Sequence, residues 1–332
     1  MANLVQASKK IALLHRHPEN RIKETNAAFP YLNAKGMDVL TFKSFDRSGW
    51  WKPLLKSIAW IFYAPALVMG KGYDIIYCDD SFPFYPALVK MVSPKSRVVI
   101  RLGDFHLMYY TDGILFNILH YFEVLTWKLA DEIICISKAM SAYVNYKING
   151  GSYTVLDPVD PKDFPMDKVH HTQTVMFHGV LSRNKNVDVL LHAAELLPEV
   201  DFLIVGYGPD YKRLKSIAPG NVTFYGWIPF KDVHNLIARC GIGVALRSNN
   251  RGNDFVVTSP FLQYGIMGKP CLVTKRLVFG DYQWQFTSAQ DLARKIKILL
   301  NKPEEGTKLR KMILENHDAR LIAEQIWNIL LA

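Results

Sequence analysis

The sequence predicts an α/β fold built on parallel sheets, and three observations carry the prediction. Between Val175 and Ile228 the apolar runs VMFHG, DFLIVG and VTFYG each end in glycine, and the stretches between them have helical spacing, as in Val187, Leu190, Leu191 and Ala194. Short apolar runs alternating with helical periods mark parallel strands covered by helices. The first half of the chain repeats the alternation. Finally, 332 residues is long for one core, and 49% hydrophobic against 21% charged residues describes an ordinary globular chain, so two domains of about 150 residues each are expected.

Taken in order, residues 11–14 form the first strand, and 21–33 a helix that stops before Lys35-Gly36. Residues 38–42 follow as a second strand. Trp51, Leu54, Leu55, Ile58 and Phe62 then recur at helical spacing, with Lys52 and Lys56 on another side. Residues 74–78 and 97–102 are the third and fourth strands, Leu115, Ile118, Phe122, Leu125 and Leu129 mark a long helix, and 132–137 is a further strand. Asp157-Pro158-Val159-Asp160-Pro161 comes next, a stiff non-helical connector because of its two prolines. The second series of strands and helices leads to an amphipathic helix after about residue 318.

In such sheets a ligand binds beyond the carboxyl ends of the strands. In the second half those ends carry Gly179, Arg183, Lys185, Gly206 and Gly208. Small residues beside cations suit a phosphate-bearing ligand.

The formal charge is +10, and residues 1–71 hold 11 Lys/Arg against 4 Asp/Glu. That excess is either a solvated basic face or an attraction to anionic lipid headgroups or an acidic acceptor. The cations are scattered as Lys9, Lys10, Arg16, Arg21 and Lys23 with no nucleic-acid reader motif, so no nucleic-acid partner is expected. The uncharged stretch 57–69 contains Pro65 and is too short to span a membrane. With the aromatics and lysines just upstream it is read two ways, as a helix lying in a membrane interface or as one packed on the N-terminal sheet. Cys78, Cys135, Cys240 and Cys271 form no close pair and read as reduced thiols in a cytoplasmic protein. The N-terminal MANLVQASKK lacks the apolar core of a signal peptide.

The order Gly-x-x-x-x-x-Lys-Asn from Gly179, Ile-Val-Gly-x-Gly-Pro from Ile204, Phe-x-Gly-Trp-Ile-Pro from Phe224, then Ser259-Pro260 and Gly268-Lys269-Pro270, resembles the nucleotide-sugar half of GT-B glycosyltransferases of the family 4 type (glycosyl transferases group 1). The resemblance implies two Rossmann-like domains facing across a cleft. Residues 1–160 would be the acceptor domain and 161–317 the nucleotide-sugar domain, with 318–332 a helix returning to the first. It implies that Lys185, by its spacing after Gly179, contacts the diphosphate. Val180 stands where the family has arginine, and Arg183 is the candidate for the second charge. Gly206 and Gly208 would bring backbone close to the nucleotide or relieve the turn. Trp227 and Ile228 match the loop that holds the nucleobase, although Trp227 also reads as a core residue.

Retaining members carry two glutamates eight positions apart, and here those places are Phe255 and Gln263. Gln263 retains the capacity to bond a ribose hydroxyl; Asp254, or the Arg251-Gly252-Asn253 turn, is the candidate for the contacts to the sugar or phosphate, and Thr258 and Ser259 for further donors to the phosphates. In the first half the segment Arg101-Leu102-Gly103-Asp104-Phe105-His106 offers Asp104 or His106 as the base if the reaction inverts the anomeric centre. If it retains, His106 is a contact for the transferred sugar. His15 and His17 are a second pair of candidates. Asp79-Asp80 reads as a turn or acceptor-loop pair; no metal or other cofactor is expected, since Lys185 and Arg183 neutralise the leaving diphosphate. The implied reaction moves a sugar from a nucleotide-diphosphate sugar, UDP favoured over GDP, to a lipid-linked or membrane-proximal glycan acceptor, with an anionic membrane surface as partner. Two other readings stand. One is a catalytically degenerate GT-B protein. The other, a nicotinamide-dependent oxidoreductase, lacks Gly-x-Gly-x-x-Gly after the first strand, where the chain reads Leu14-His15-Arg16-His17-Pro18.

Overall fold

The computed structural model describes residues 9–17, 22, 26–42, 52–79, 83–105, 107–108, 113–166 and 172–332, with the side chains of 52–57 excepted. The chain divides into two compact units, Met1–Asp157 with Ile322–Ala332, and Pro158–Leu321.

The first unit is a six-stranded parallel sheet whose strands are β1 (Ile11–His15), β2 (Asp38–Thr41), β3 (Ile75–Cys78), β4 (Arg97–Leu102), β5 (Glu132–Cys135) and β6 (Tyr153–Thr154). Their spatial order is β2-β1-β3-β4-β5-β6. Every residue of β1 and β3 is buried, as expected of parallel strands covered on both faces. The helices between them are α1 (Phe29–Asn33), α2 (Lys52–Val68), α3 (Tyr85–Val92), α4 (Gly113–Leu129) and α5 (Lys138–Ile148). Right-handed crossovers put α2 to α5 on one face of the sheet, and α2 packs on α3, α3 on α4 and α4 on α5. The strand expected over 132–137 stops at Cys135, since Ser137 instead accepts the Met140 N–H at 3.0 Å and caps α5. Of the helix expected over 21–33, Ile22 and 29–33 are helical. Before 29 the Asn26 side chain bonds the Ala28 N–H at 3.0 Å and makes a turn.

The second unit repeats the plan with β7 (Thr174–His178), α6 (Asp188–Glu195), β8 (Asp201–Val205), α7 (Tyr211–Ser216), β9 (Val222–Gly226), α8 (Val233–Ile237), β10 (Ile242–Ala245), α9 (Ser259–Ile266), β11 (Cys271–Thr274), β12 (Gln285–Phe286), α10 (Ala289–Leu299) and α11 (Glu304–His317). The parallel order is β12-β11-β10-β7-β8-β9. Alternate residues of β7 feed two cores. Val175 and Phe177 pack with Leu190 and Ile296, whereas Met176 packs with Tyr264 and Ile313. Lys269 of the Gly-Lys-Pro motif is buried, and its ammonium donates to the carbonyls of Ala238 (3.0 Å) and Cys240. Its role is therefore in the packing, because a buried cation needs such acceptors.

The connector is tied into the second unit: Val159 donates to the His317 carbonyl at 2.8 Å and accepts from the Ala319 N–H at 3.1 Å. The last helix, α12 (Ala319–Leu331), then joins the first unit. There Ile322, Ala323, Ile326 and Leu330 share a core with Leu13, Ile22, Leu32, Tyr77 and Val99. Arg97 anchors its end by donating to the carbonyls of Ile329 and Leu330, both at 2.8 Å.

Candidate functional site

In the second sheet the connections from β7 run first toward β9 and then return to β10 on the other side. The topological switch point therefore lies between the carboxyl ends of β7 and β10. Three glycines stand in register beside it. Gly179 donates to Val205 at 3.0 Å, and Gly206 donates to Gly226 at 2.7 Å. A Cβ on Gly206 would sit 1.9 Å from the Gly179 carbonyl oxygen, and one on Gly208 would sit 2.3 Å from that of Leu181. The close approach these glycines permit is thus between the chain's own loops after β7 and β8.

The loop after β7 turns through a 3₁₀ segment, Arg183–Lys185, and closes on Asn186 in the left-handed conformation (φ 52). Asn184, between the two cations, accepts from the Ser248 hydroxyl at 2.8 Å and the Asn253 amide at 3.1 Å, and its carbonyl accepts the Ser248 N–H at 2.9 Å. The cationic turn is thereby fastened to the loop after β10, which also carries Arg247, Arg251 and Asp254. Arg276, after β11, donates to Asn249 at 3.3 Å and to the Ser248 carbonyl. Four arginines and a lysine are gathered on segments that face one switch point.

Among the described residues several buried polar atoms on these segments have no partner, including Nε2 of His178, the last residue of β7, Oε1 of Gln263 on α9, and Oδ1 of Asn253. Leaving such a group unmet costs about 1–3 kcal/mol, a cost removed when a ligand supplies the missing bond. Burial, helped by the nearby Lys185 charge, lowers the His178 pKa to about 3, so the imidazole is neutral at ordinary pH. Thr258 caps α9, its hydroxyl oxygen accepting from the Phe261 N–H at 3.4 Å, while Ser259 is exposed. Trp227 is 73% exposed, which removes the core reading. Ile228 packs partly against the core, and Val180 is exposed.

In the first unit the corresponding switch point lies between β1 and β3. His15, buried at the end of β1, accepts the His17 N–H on Nδ1 at 3.0 Å. Arg101 is buried between two carboxylates, donating to Asp79 at 3.3 Å and Asp157 at 2.8 Å. Asp79 is also bonded by Asn26 at 2.7 Å and Tyr77 at 3.2 Å. Asp79, expected in a turn or acceptor-loop pair, is a buried member of an ion-pair network; Asp80 lies outside the described residues. Asp104, half-buried after β4, accepts the Phe105 N–H at 2.8 Å. The expected partner His106 is outside the described residues.

Burial raises the Asp157 pKa to about 6, partly offset by the Arg101 charge. A carboxyl that binds its proton more tightly when folded stabilises the protein at low pH, and that contribution is lost as pH rises from the usual carboxylate range through about 6. Carboxyl NMR should therefore place the Asp157 midpoint near pH 6. Asp157→Asn should flatten the corresponding fall in stability; a midpoint near 4 would contradict the reading.

Residues 160–318 match the family model described as glycosyl transferases group 1. They are a domain of that family. The chain is accordingly a glycosyltransferase, and its two Rossmann-like units form a GT-B fold. Anabaena Alr3699/HepE, solved in complex with UDP and glucose, is 17% identical with a TM-score of 0.72, over 98% of this chain and 100% of that one. Sucrose-phosphate synthase from Thermosynechococcus elongatus gives 15% and 0.74 over 97% and 98%. The lipopolysaccharide outer core galactosyltransferase WaaB in its apo form gives 14% and 0.67 over 96% and 98%. No curated protein matches the glycosyltransferase by sequence.

Within the glycosyltransferase, Gly179, Arg183, Lys185, Gly206 and Gly208 belong to loops after β7 and β8, and Trp227 and Ile228 follow β9. Asp254 ends the 3₁₀ turn Arg251–Asp254 after β10, ahead of Thr258, Ser259 and Gln263. Sequence reasoning named Asn253 as part of the Arg251-Gly252-Asn253 turn but did not find His178, Asn184, Ser248 or Arg276. Asn184 and its partners are 64 and 69 residues apart, and no local pattern announces such a bond.

Proposed function

We propose that this glycosyltransferase moves a sugar from a nucleotide-diphosphate sugar to a hydroxyl of a lipid-linked or membrane-proximal glycan. UDP-sugars are favoured and GDP-sugars come next. The observation that carries the reading is the cationic turn Arg183–Lys185, fastened by Asn184 to the loop after β10 and accompanied by the unmet acceptor of Gln263. Lys185 and Arg183 receive the diphosphate, and Gln263 accepts a bond from a ribose hydroxyl, which meets its need. Thr258 and Ser259 at the start of α9 add donors for the phosphates, with Asp254 close by in sequence. Trp227 and Ile228 flank the base. The presence of UDP in the HepE structure supports uridine. Asp104 is the base toward the acceptor hydroxyl if configuration inverts, with His106 its alternative and, in a retaining reaction, a sugar contact.

In this scheme the leaving diphosphate is neutralised by protein cations, so no metal is required. Transfer of labelled sugar from UDP-glucose, UDP-galactose, UDP-N-acetylglucosamine or GDP-mannose to a bacterial lipid extract should proceed equally with EDTA. Loss of transfer on chelation, restored by magnesium, would overturn the metal-free step. A second reading rests on Phe255 and Gln263, which stand where retaining relatives carry glutamates. A degenerate protein would bind the nucleotide sugar and transfer nothing to any acceptor.

A further inference from the structure

Helix α4 is built inside out. Its inward face carries His120, Glu123 and Thr126 beside Phe116 and Trp127. The polar groups are satisfied among themselves: His120 Nδ1 meets Glu123 at 2.8 Å, His120 Nε2 meets the Tyr143 hydroxyl at 2.8 Å, and Thr126 donates to the Phe122 carbonyl at 3.0 Å. The ring of His120 also stacks on Phe116 with centroids 5.1 Å apart. Because this network fills the inward positions, the apolar periodicity of the helix points to solvent. Ile114 is 80% exposed, Tyr121 67%, and Ile118 and Phe122 about half. The neighbouring helices continue the surface with Phe62 of α2 at 69% and Met91 of α3 at 71%. A monomer rarely exposes so much large apolar surface without a partner for it.

The charge pattern identifies that partner. Across residues 52–72, 83–97 and 113–130 the sequence contains one carboxylate, Glu123, and it is buried. The same stretches carry Lys52, Lys56, Lys71, Lys90, Lys95 and Lys128, whereas Arg97 is committed to Glu132 and the end of α12. Asp131, just beyond α4, is held by Lys90 at 2.6 Å. A two-fold contact between copies of this chain would set such a surface against itself, cation facing cation. Lipid phosphates answer the cations, and the headgroup boundary accepts tyrosine and phenylalanine beside aliphatic side chains. We infer that the α2–α3–α4 face of the first unit docks on an anionic lipid bilayer, with Ile114, Ile118, Tyr121 and Phe122 of α4 entering the acyl boundary. Among the described residues no helix is long and apolar enough to cross a membrane, so the contact lies in the surface plane. Its purpose rests on the membrane-proximal acceptor proposed above, whereas the docking itself is read without any transfer.

The experiment is flotation of the full chain with phosphatidylcholine vesicles, with and without phosphatidylglycerol, for the wild type and for the combined variant Ile118→Ser, Tyr121→Ser, Phe122→Ser. All three positions are exposed, so the variant should melt as the wild type does. The wild type should float with anionic vesicles, less so as salt rises. The variant should lose on the order of 100-fold in partition. Equal flotation of the two proteins would overturn the inference. So would a wild type that stays in solution as a dimer by light scattering and becomes a monomer in the variant, since the face would then serve self-association. Stabilisation by nucleotide sugars, read in the same samples, reports separately on the proposed reaction.

Discussion

Gly206→Ala is expected to cost the second unit on the order of 4 kcal/mol of stability, from overpacking and backbone strain together. The new Cβ would lie 1.9 Å from the Gly179 carbonyl oxygen, and the residue sits at φ +136, where side chains are strained whatever the space. Neither neighbour can yield cheaply, because Gly179 and Gly206 are each bonded to the adjacent strand, at 3.0 and 2.7 Å. In a unit of this size the midpoint of thermal unfolding should fall by roughly 10 °C. Gly220→Ala in the same unit meets nothing within 4 Å and should leave the midpoint unchanged. Equal midpoints for Gly206→Ala and the wild type would mean that the loops after β7 and β8 are not packed as described.

Lys185→Ala should leave the unliganded protein nearly as stable as before and weaken nucleotide-sugar binding about 10- to 150-fold. The range follows from roughly 1.5–3 kcal/mol for one charge-assisted bond to phosphate. Lys185 lies on a 3₁₀ turn fixed by its neighbour Asn184, so removing the amine leaves the turn in place. Calorimetric titration of both proteins with the preferred nucleotide sugar is the check. Unchanged affinity would place the diphosphate elsewhere. His178 offers a second readout: its pKa is lowered chiefly by burial and only then by Lys185. In the variant it should rise slightly and remain well below the usual histidine value.

The strands were legible because parallel strands covered on both faces are short apolar runs bounded by glycine, as in DFLIVG. The cationic turn was legible through the spacing of Lys185 after Gly179. The burial of α4 was not: periodicity reports that a helix has an apolar face, and says nothing of which way it points. Here the polar residues inside are matched to one another by His120, Glu123 and Tyr143, a pairing that joins two helices. The same limit applies to Asn184, Ser248 and Asn253, whose bonds cross between loops far apart in sequence. Lys269 belongs to a recognisable motif, yet its ammonium is turned inward to two backbone carbonyls. The spacing showed the motif without showing that it packs.

The central claim is that the loops after β7 and β10 hold a nucleoside diphosphate. Thermal stabilisation of the wild-type protein across UDP, GDP and ADP and their sugars tests it most directly. The account predicts a clear rise in midpoint with one nucleoside diphosphate, UDP first, increasing with concentration as mass action requires. No rise with any of them at saturating concentration would contradict it.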